Sequence, residues 1–352
     1  AERHAEDNYR GTEHFGKTGL EQKYEFELHG QTGFEQVEVE AGGRAVRVLE
    51  RTPPLPGNNL LLTLDARLQQ VVEKAFGKRR GALVAIDPSN GGILALVSMP
   101  GYDPNLFVDG INSQDWEILN TSEDKPMVNR ALNGAYPPGS TFKPFMALAA
   151  LEIGKRTPQQ SISDPGFFNF GGHTFRDDKK GGHGIVDMYK SIVHSCDTYY
   201  YVLANDMGID AISNFMRQLG LGSRTGVDIE GESEGVLPSQ EWKKKRFRKP
   251  EQQKWYAGET ISIGIGQGYN AYTPIQLAQA TAAVASGGVI YRPHLVKHIE
   301  NINTGERTPI EPQPLRTLPL KPANVEIIRQ AMVGVNKEGT GARAFAGAEY
   351  VS

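Results

Sequence analysis

Two apolar runs of strand length, "GALVAI" at 81–86 and "ILALVSM" at 93–99, flank the turn-forming stretch "DPSNGG". Each is far shorter than the ~20 apolar residues that cross a bilayer. Between them stand the residue types that supply turn conformations. The pair therefore predicts an antiparallel hairpin at the start of a core. Just upstream, "TLDARLQQVVEKAFGK" sets Leu64, Leu68, Val71, Val72, Ala75 and Phe76 on one helical face, with Thr63 or Asp65 as its cap. Downstream, "STFKPFMALAALEIGK", "VDMYKSIVHSCDTYYYVLANDMG", "PIQLAQATAAVASGG" and "PANVEIIRQAMVGVNKEG" carry helical patterns. A mainly antiparallel sheet flanked by helices is an α+β domain.

The hairpin and helices belong to a large unit from 53 to 352. Residues 1–52 are polar and charged, and "HGQTGFEQVEVEAGGRAVRVLE" alternates as strands do. The proline-rich "RTPPLPGNN" reads as the linker between the two parts. With 39% hydrophobic and 22% charged residues, the chain can bury a sizeable core. Lys and Arg number 38 against 41 Asp and Glu, a net charge of -3, which argues against a nucleic-acid partner. No transmembrane or signal segment is visible, so any membrane anchor is expected outside this sequence. The one cysteine, Cys196, excludes a disulfide within the chain.

Chemistry concentrates in "GAYPPGSTFKPF" at 134–145. If Ser140 opens a helix, Lys143 lies one turn away on the same face. A serine hydroxyl becomes a useful nucleophile when a neighbouring base takes its proton. A neutral lysine can be that base, and backbone N–H groups at a helix start favour a developing oxyanion. The tetrad alone also fits an N-cap serine beside a solvated lysine. The prolines ahead of Ser140 fix its approach, and "SCD", Ser195 to Asp197, adds a second hydroxyl within a helical pattern. Ser195 can relay a proton to a leaving amine, and Asp197 can hold the lysine or the substrate.

The combination of S-x-x-K with a downstream serine motif is characteristic of penicillin-binding proteins and serine β-lactamases. "YPPGSTFKP", "SCDTYYYVLANDMGID", "GIGQGYNAYTPIQ" and "GGVIYRPHLV" together resemble the transpeptidase domain of class B penicillin-binding proteins. "KTGLEQKYEFELHGQTG" resembles part of their N-terminal pedestal, or dimerisation-like, domain. "YDPNLFVDGI" and "EWKKKRFRKP" point to the elongation-specific, rod-shape branch. The resemblance implies that Ser140 attacks the D-alanyl-D-alanine carbonyl of a peptidoglycan stem peptide, with Lys143 as general base. Ser195 with Lys143 would protonate the departing D-alanine, and an amine from a neighbouring stem would complete the cross-link. β-Lactams would acylate Ser140, and no cofactor is needed for this catalysis. The family more often has Asn where Asp197 stands, so this carboxylate is expected to pair more strongly with Lys143 and contact substrate less. Implied partners are stem peptides, a SEDS-family glycosyltransferase and other elongation-complex proteins, at the periplasmic face of a Gram-negative inner membrane.

The family also needs a Lys-Thr/Ser-Gly strand. "GKTG" at 16–19 precedes both other motifs and lies in the pedestal-like part, so Lys17 reads as structural and the true motif is expected beyond Ser352. A serine β-lactamase is the alternative within this chemistry, but no E-x-x-L-N segment follows Ser195 to activate water. A non-catalytic β-lactam sensor or assembly scaffold is the alternative outside it. "GIGQGYNAYTPIQ" lacks the strand-to-helix setting of a phosphate-binding loop and reads as scaffold, as does the aromatic triplet Tyr199 to Tyr201. "EWKKKRFRKPEQQK" reads as a solvated basic loop, with anionic glycan contact as the alternative.

Between the two serine motifs stand Asp164, Asp177, His183 and Cys196, with His173, Asp178 and His194 as spares. These are ligand types that a tetrahedral zinc accepts, and the glycines around His183 would let its imidazole fold back toward Cys196. The expectation is a structural Zn²⁺ held by Asp164, Asp177, His183 and Cys196, tying the loop to the Ser195 motif. The spacing is no standard zinc signature, and unliganded loop residues around a buried thiol remain the alternative.

Overall fold

The computed structural model describes residues 7–9 and 14–348; the expected end of the large unit, 349–352, lies outside them. After a single helical turn at Asp7–Tyr9, the N-terminal part carries two short helices, α1 (Gly19–Lys23) and α2 (Glu25–His29). A hairpin of β1 (Phe34–Val39) and β2 (Ala45–Thr52) follows, with exposed residues along both strands. The linker then delivers β3 (Asn59–Leu62).

Asp65 caps α3 (Ala66–Phe76) by accepting from the amides of Arg67 and Leu68 at 2.8 and 3.1 Å. The expected apolar face is only partly used: Val72 is buried, whereas Val71 is 63% exposed. The predicted hairpin is present as β4 (Gly81–Ile86) and β5 (Ile93–Met99), antiparallel with Gly81 opposite Met99. Ile93, Ala95 and Val97 alternate into the core. After α4 (Ser113–Thr121), one tight turn at Gly139–Phe142 leads into α5 (Lys143–Glu152). From Phe145 to Leu151 every residue of α5 is buried, so this helix runs through the middle of the domain rather than along its surface.

Four short strands follow: β6 (Ile162–Asp164), β7 (Phe167–Phe170), β8 (His173–Arg176) and β9 (Gly184–Val186). β6 pairs with β9 and β7 with β8, both antiparallel. Next come α6 (Met188–Val193), capped by Asp187, and α7 (Asp197–Gln218), kinked at Gly208, where φ is 76°. α7 packs on α5, and its Tyr199, Tyr200 and Tyr201 are all buried, which agrees with the core reading of the aromatic triplet. The basic run, expected as a solvated loop, instead forms α8 (Gln240–Arg246), started by Ser239 accepting from the Trp242 amide. It is followed by α9 (Pro250–Gln253), α10 (Ala257–Ile263) and α11 (Pro274–Ala285). Thr273 and Gln276 cap α11 reciprocally, with Pro274 in its first turn.

The chain closes with β10 (Val289–Tyr291), β11 (Val296–Glu300), β12 (Arg307–Pro309), β13 (Pro314–Thr317) and α12 (Pro322–Lys337). β11 lies between β12 and β3, so the linker strand joins the large unit. A second link is the Tyr24 hydroxyl, which donates to Asp228 at 3.1 Å while Asp228 accepts from the amides of Leu295 and Val296. α11 covers β4, α3 covers β5, and α12 backs α6 and α5, giving the expected α+β layering.

The approach to Ser140 is strapped to the segment between α10 and α11. Tyr136 and Tyr272 exchange amide-to-carbonyl bonds at 2.9 Å, and the Gly139 amide donates to the Gly266 carbonyl at 3.0 Å. Gly266 has φ +71°, and a Cβ there would stand 2.3 Å from the Gly139 carbonyl oxygen. Gly266→Ala should therefore lower stability by about 1–3 kcal/mol, read from urea unfolding. A loss below about 0.5 kcal/mol, the usual range of neutral surface changes, would show that the two turns are not pressed together.

Candidate active site

Lys143 is the first residue of α5 and is 1% exposed. A buried ammonium needs partners for its protons, because isolated burial costs several kcal/mol. Its Nζ donates to the Ser195 carbonyl at 2.6 Å, to Ser195 Oγ at 3.0 Å and to Asp197 Oδ1 at 2.6 Å. The Tyr200 ring, 5.6 Å away at its centroid, completes the surroundings. The role of Tyr200 beside the lysine was not read from the sequence, although its place one turn after Asp197 on α7 contains the signal.

Ser140 sits in the tight turn before α5 and is exposed. Sequence spacing suggested that it opens an α-helix; the structure begins that helix at Lys143, one turn later. Ser195 Oγ donates to Ser140 Oγ at 2.9 Å, so the second serine bridges the first serine and the lysine.

The Ser195 motif lies between two helices, not within one. α6 ends in a Schellman-type turn: the Ser195 amide donates to the Ile192 carbonyl and the Cys196 amide to the Ser191 carbonyl. Ser195 itself has φ 57°, a left-handed conformation that a serine adopts at a cost of about 1–3 kcal/mol. That turn aims three consecutive side chains differently. Ser195 faces Ser140, Cys196 faces a carboxylate cluster, and Asp197 faces Lys143.

The four expected metal ligands converge. One donor atom from each of Asp164, Asp177, His183 and Cys196 lies within 4.8 Å of the other three. Cys196 Sγ stands 3.4 Å from Asp164 Oδ2 and 3.5 Å from Asp177 Oδ2. His183 Nδ1 is 2.9 Å from Asp164 Oδ2 and 3.4 Å from Asp177 Oδ1. A tetrahedral ion with bonds of about 2.0–2.3 Å needs donors about 3.3–3.7 Å apart; three of these separations lie in that range, and the fourth, His183 to Asp164 at 2.9 Å, is a hydrogen-bond distance that an ion would have to widen. Both carboxylate side chains are 0% exposed, so two buried acids and a thiol share one imidazole, a donor set that fits a cation. Backbone amides fix the acids: Gly166 and His183 donate to Asp164, and Lys179 and Thr198 to Asp177. Of the spare ligands, His194 stacks on His183 at 6.2 Å and His173 lies edge-on to Phe175.

Electrostatics follow from the burial. Desolvation raises the Asp164 carboxyl, but hydrogen bonds, including those from Gly166 and His183, outweigh it and hold the acid down at about 2. Burial, with the two aspartates beside it, pushes the Cys196 thiol well up. Lys17 is exposed near α1, its ammonium over the Phe15 ring at 5.1 Å.

Comparisons with known proteins place the chain in a family. The penicillin binding protein transpeptidase domain model matches residues 81–351, and the penicillin-binding protein dimerisation domain model matches residues 1–62. The peptidoglycan D,D-transpeptidase MrdA of Acinetobacter baumannii is 48% identical over 344 residues, covering 95% of this chain and 49% of that protein. The crystal structure of Pseudomonas aeruginosa PBP2 in complex with WCK 5153 superposes with a TM-score of 0.84 at 42% identity, covering 98% of this chain and 73% of that one. The complex of PBP2 with MreC from Helicobacter pylori gives a TM-score of 0.83 at 35% identity, covering 96% and 61%. The chain spans about half the length of the curated relatives it matches.

Because the Asp164 carboxyl lies below its ordinary 3.8 in the folded chain, its contribution to stability is present above pH ~4 and disappears as pH falls toward ~2. In metal-free protein, Asp164→Asn should be less stable than the parent at pH 7, and its stability should fall less between pH 5 and 2. Parallel acid-unfolding curves for the two proteins would contradict this.

Proposed function

The chain belongs to the penicillin-binding protein transpeptidase family, and on that premise we propose that it carries the acyl-transfer site of a peptidoglycan D,D-transpeptidase. The observation that carries this reading is the contact chain Ser140–Ser195–Lys143–Asp197. Ser140 Oγ attacks the carbonyl carbon of the penultimate D-alanine of a stem peptide. Its proton passes through the Ser195 hydroxyl to the Lys143 amine, once the lysine has yielded one ammonium proton to the Asp197 carboxylate 2.6 Å away. Backbone N–H groups at the Gly139–Phe142 turn stabilise the oxyanion. Collapse of the tetrahedral intermediate breaks the peptide bond, and the proton returns through Ser195 to the departing D-alanine. An amine of a second stem then attacks the ester, forming the cross-link and freeing Ser140. Asp197 keeps the lysine in line with Ser195. β-Lactams enter the same first step and stop at the ester.

The second part of the proposal is a structural Zn²⁺ at Asp164, Asp177, His183 and Cys196. The donor separations and the two buried acids support it. The ion would fix Cys196, and through the adjacent backbone Ser195 and Asp197, without touching the reacting atoms. Catalysis needs no further cofactor. Because the H. pylori relative was solved with MreC, a protein of that type is a proposed partner, beside a SEDS-family glycosyltransferase. Among the described residues no helix is long and apolar enough to cross a membrane. Placement at the periplasmic face of a Gram-negative inner membrane would rest on an anchor outside this sequence.

Three measurements test these readings in the intact protein. Labelled penicillin should bind covalently and be released slowly; rapid release would make the protein a β-lactamase, and no labelling would leave a scaffold. Ser195→Ala should slow acylation by about 10²–10⁴-fold, the usual share of a proton-transfer group; a rate within a factor of about three would remove it from the relay. Metal analysis of protein purified without chelator should find one zinc per chain, lost in Cys196→Ala, and equal zinc in both would dismiss the site.

A further inference from the structure

The basic run holds one lysine unlike its neighbours. Lys244, Lys245, Arg246, Arg248 and Lys249 are exposed, whereas Lys243 is 3% exposed. Its Nζ donates to both carboxylate oxygens of Glu259 at 2.5 and 2.6 Å and to the Lys254 carbonyl at 2.8 Å. Three aromatic rings surround it, with centroids 5.7 Å (Trp255), 5.3 Å (Tyr256) and 5.8 Å (Tyr269) away.

Glu259 is used on every side. It accepts from the Tyr256 amide at 2.9 Å, which closes the N-terminal turn of α10, and from the Tyr269 hydroxyl at 3.1 Å. The Lys243–Glu259 pair therefore clamps both the start of α10 and the loop that follows it. The intervening segment has little freedom. A Cβ on Gly264 would lie 2.6 Å from both the Ala204 Cβ and the Tyr200 carbonyl oxygen. Gly266 meets Gly139, the residue before Ser140, with the carbonyl contact and amide hydrogen bond described above. Lys243 is thus tied through Glu259 to Tyr269 by side-chain contacts, and from Tyr269 the backbone leads three residues back to Gly266, which touches the turn that bears Ser140.

A buried ion pair is a weak source of net stability, since desolvation offsets most of its attraction, but it is demanding about geometry. An apolar side chain in the same cage would fill the volume without fixing the register of the loop. We propose that Lys243 is a positioning residue for Ser140, acting through the caged Glu259 pair to fix the 264–269 segment against which the Gly139–Ser140 turn rests. This inference rests on the acyl-transfer reading of Ser140.

The test uses the intact protein and a fluorescent penicillin, separating the binding constant K from the acylation rate constant k2 and recording the final labelled fraction. Lys243→Met with Glu259→Gln removes both charges together, so no buried ion is left alone. Tyr269→Phe removes only the hydroxyl on Glu259. The double variant should lower k2 by about tenfold, and Tyr269→Phe by about two- to fivefold, because small displacements of a nucleophile are costly. K should stay within about twofold in both, and labelling should still reach completion. A role in folding alone would instead reduce the labelled fraction and leave k2 of the remaining sites unchanged; that result overturns the proposal. If the double variant does not fold, Tyr269→Phe decides by itself, and an unchanged k2 overturns the proposal. Failure of the parent to label at Ser140 would remove the acyl-transfer reading and this inference with it, whereas a labelled parent with unchanged variant rates would remove this inference only.

Discussion

The site depends on a lysine taken out of water. With Lys143 1% exposed, each proton of its ammonium must meet an acceptor, and the surrounding fold supplies them from one short segment. α5 brings the lysine in from a helix buried throughout, so the amine cannot swing to solvent without disturbing the centre of the domain. The Ser195 carbonyl and hydroxyl and the Asp197 carboxylate meet it from the break between α6 and α7. Removing Asp197 would leave a buried cation short of its counter-charge, which makes this pair a geometric commitment rather than a surface ornament.

The break between α6 and α7 is where several requirements meet. A continuous helix would place residues 195, 196 and 197 about 100° apart around one axis. The left-handed turn at Ser195 redirects them, so one hydroxyl reaches Ser140, one thiol reaches two buried acids and one carboxylate reaches Lys143. The carboxylate cluster and the buried lysine are thus adjacent through the backbone. The Thr198 amide donates to Asp177 at 2.8 Å, so the first turn of α7 belongs to both arrangements. α12 packs on α6, and just beyond α12 the Thr340 amide donates to the Val193 carbonyl at 3.2 Å.

Much of this was legible in the chain because local pattern and tertiary role coincide. The hairpin at 81–99 alternates as a one-sided sheet should, and α11 and α12 carry their apolar residues at helical spacing. The four metal-ligand candidates could be named from side-chain chemistry, since glycines around His183 leave its loop free to turn back. What the chain did not reveal were features set by distant contacts. The helical pattern across 186–208 hid the turn at Ser195, because a serine in the left-handed region has no local signature. Val71 falls on the apolar face of α3 yet remains exposed, since β5 reaches only part of that face. Lys243 could not be told from five similar cations in one run; only packing on Trp255, Tyr256 and Tyr269 singles it out.

The central claim is that the hydroxyl of residue 140 is the group made reactive by this buried lysine network. Peptide-mapping mass spectrometry after exposure of the intact protein to benzylpenicillin tests it most directly. The account predicts a single added penicilloyl group on the peptide containing Ser140, absent from Ser140→Ala. An adduct on any other residue, or none on a folded protein, would contradict it.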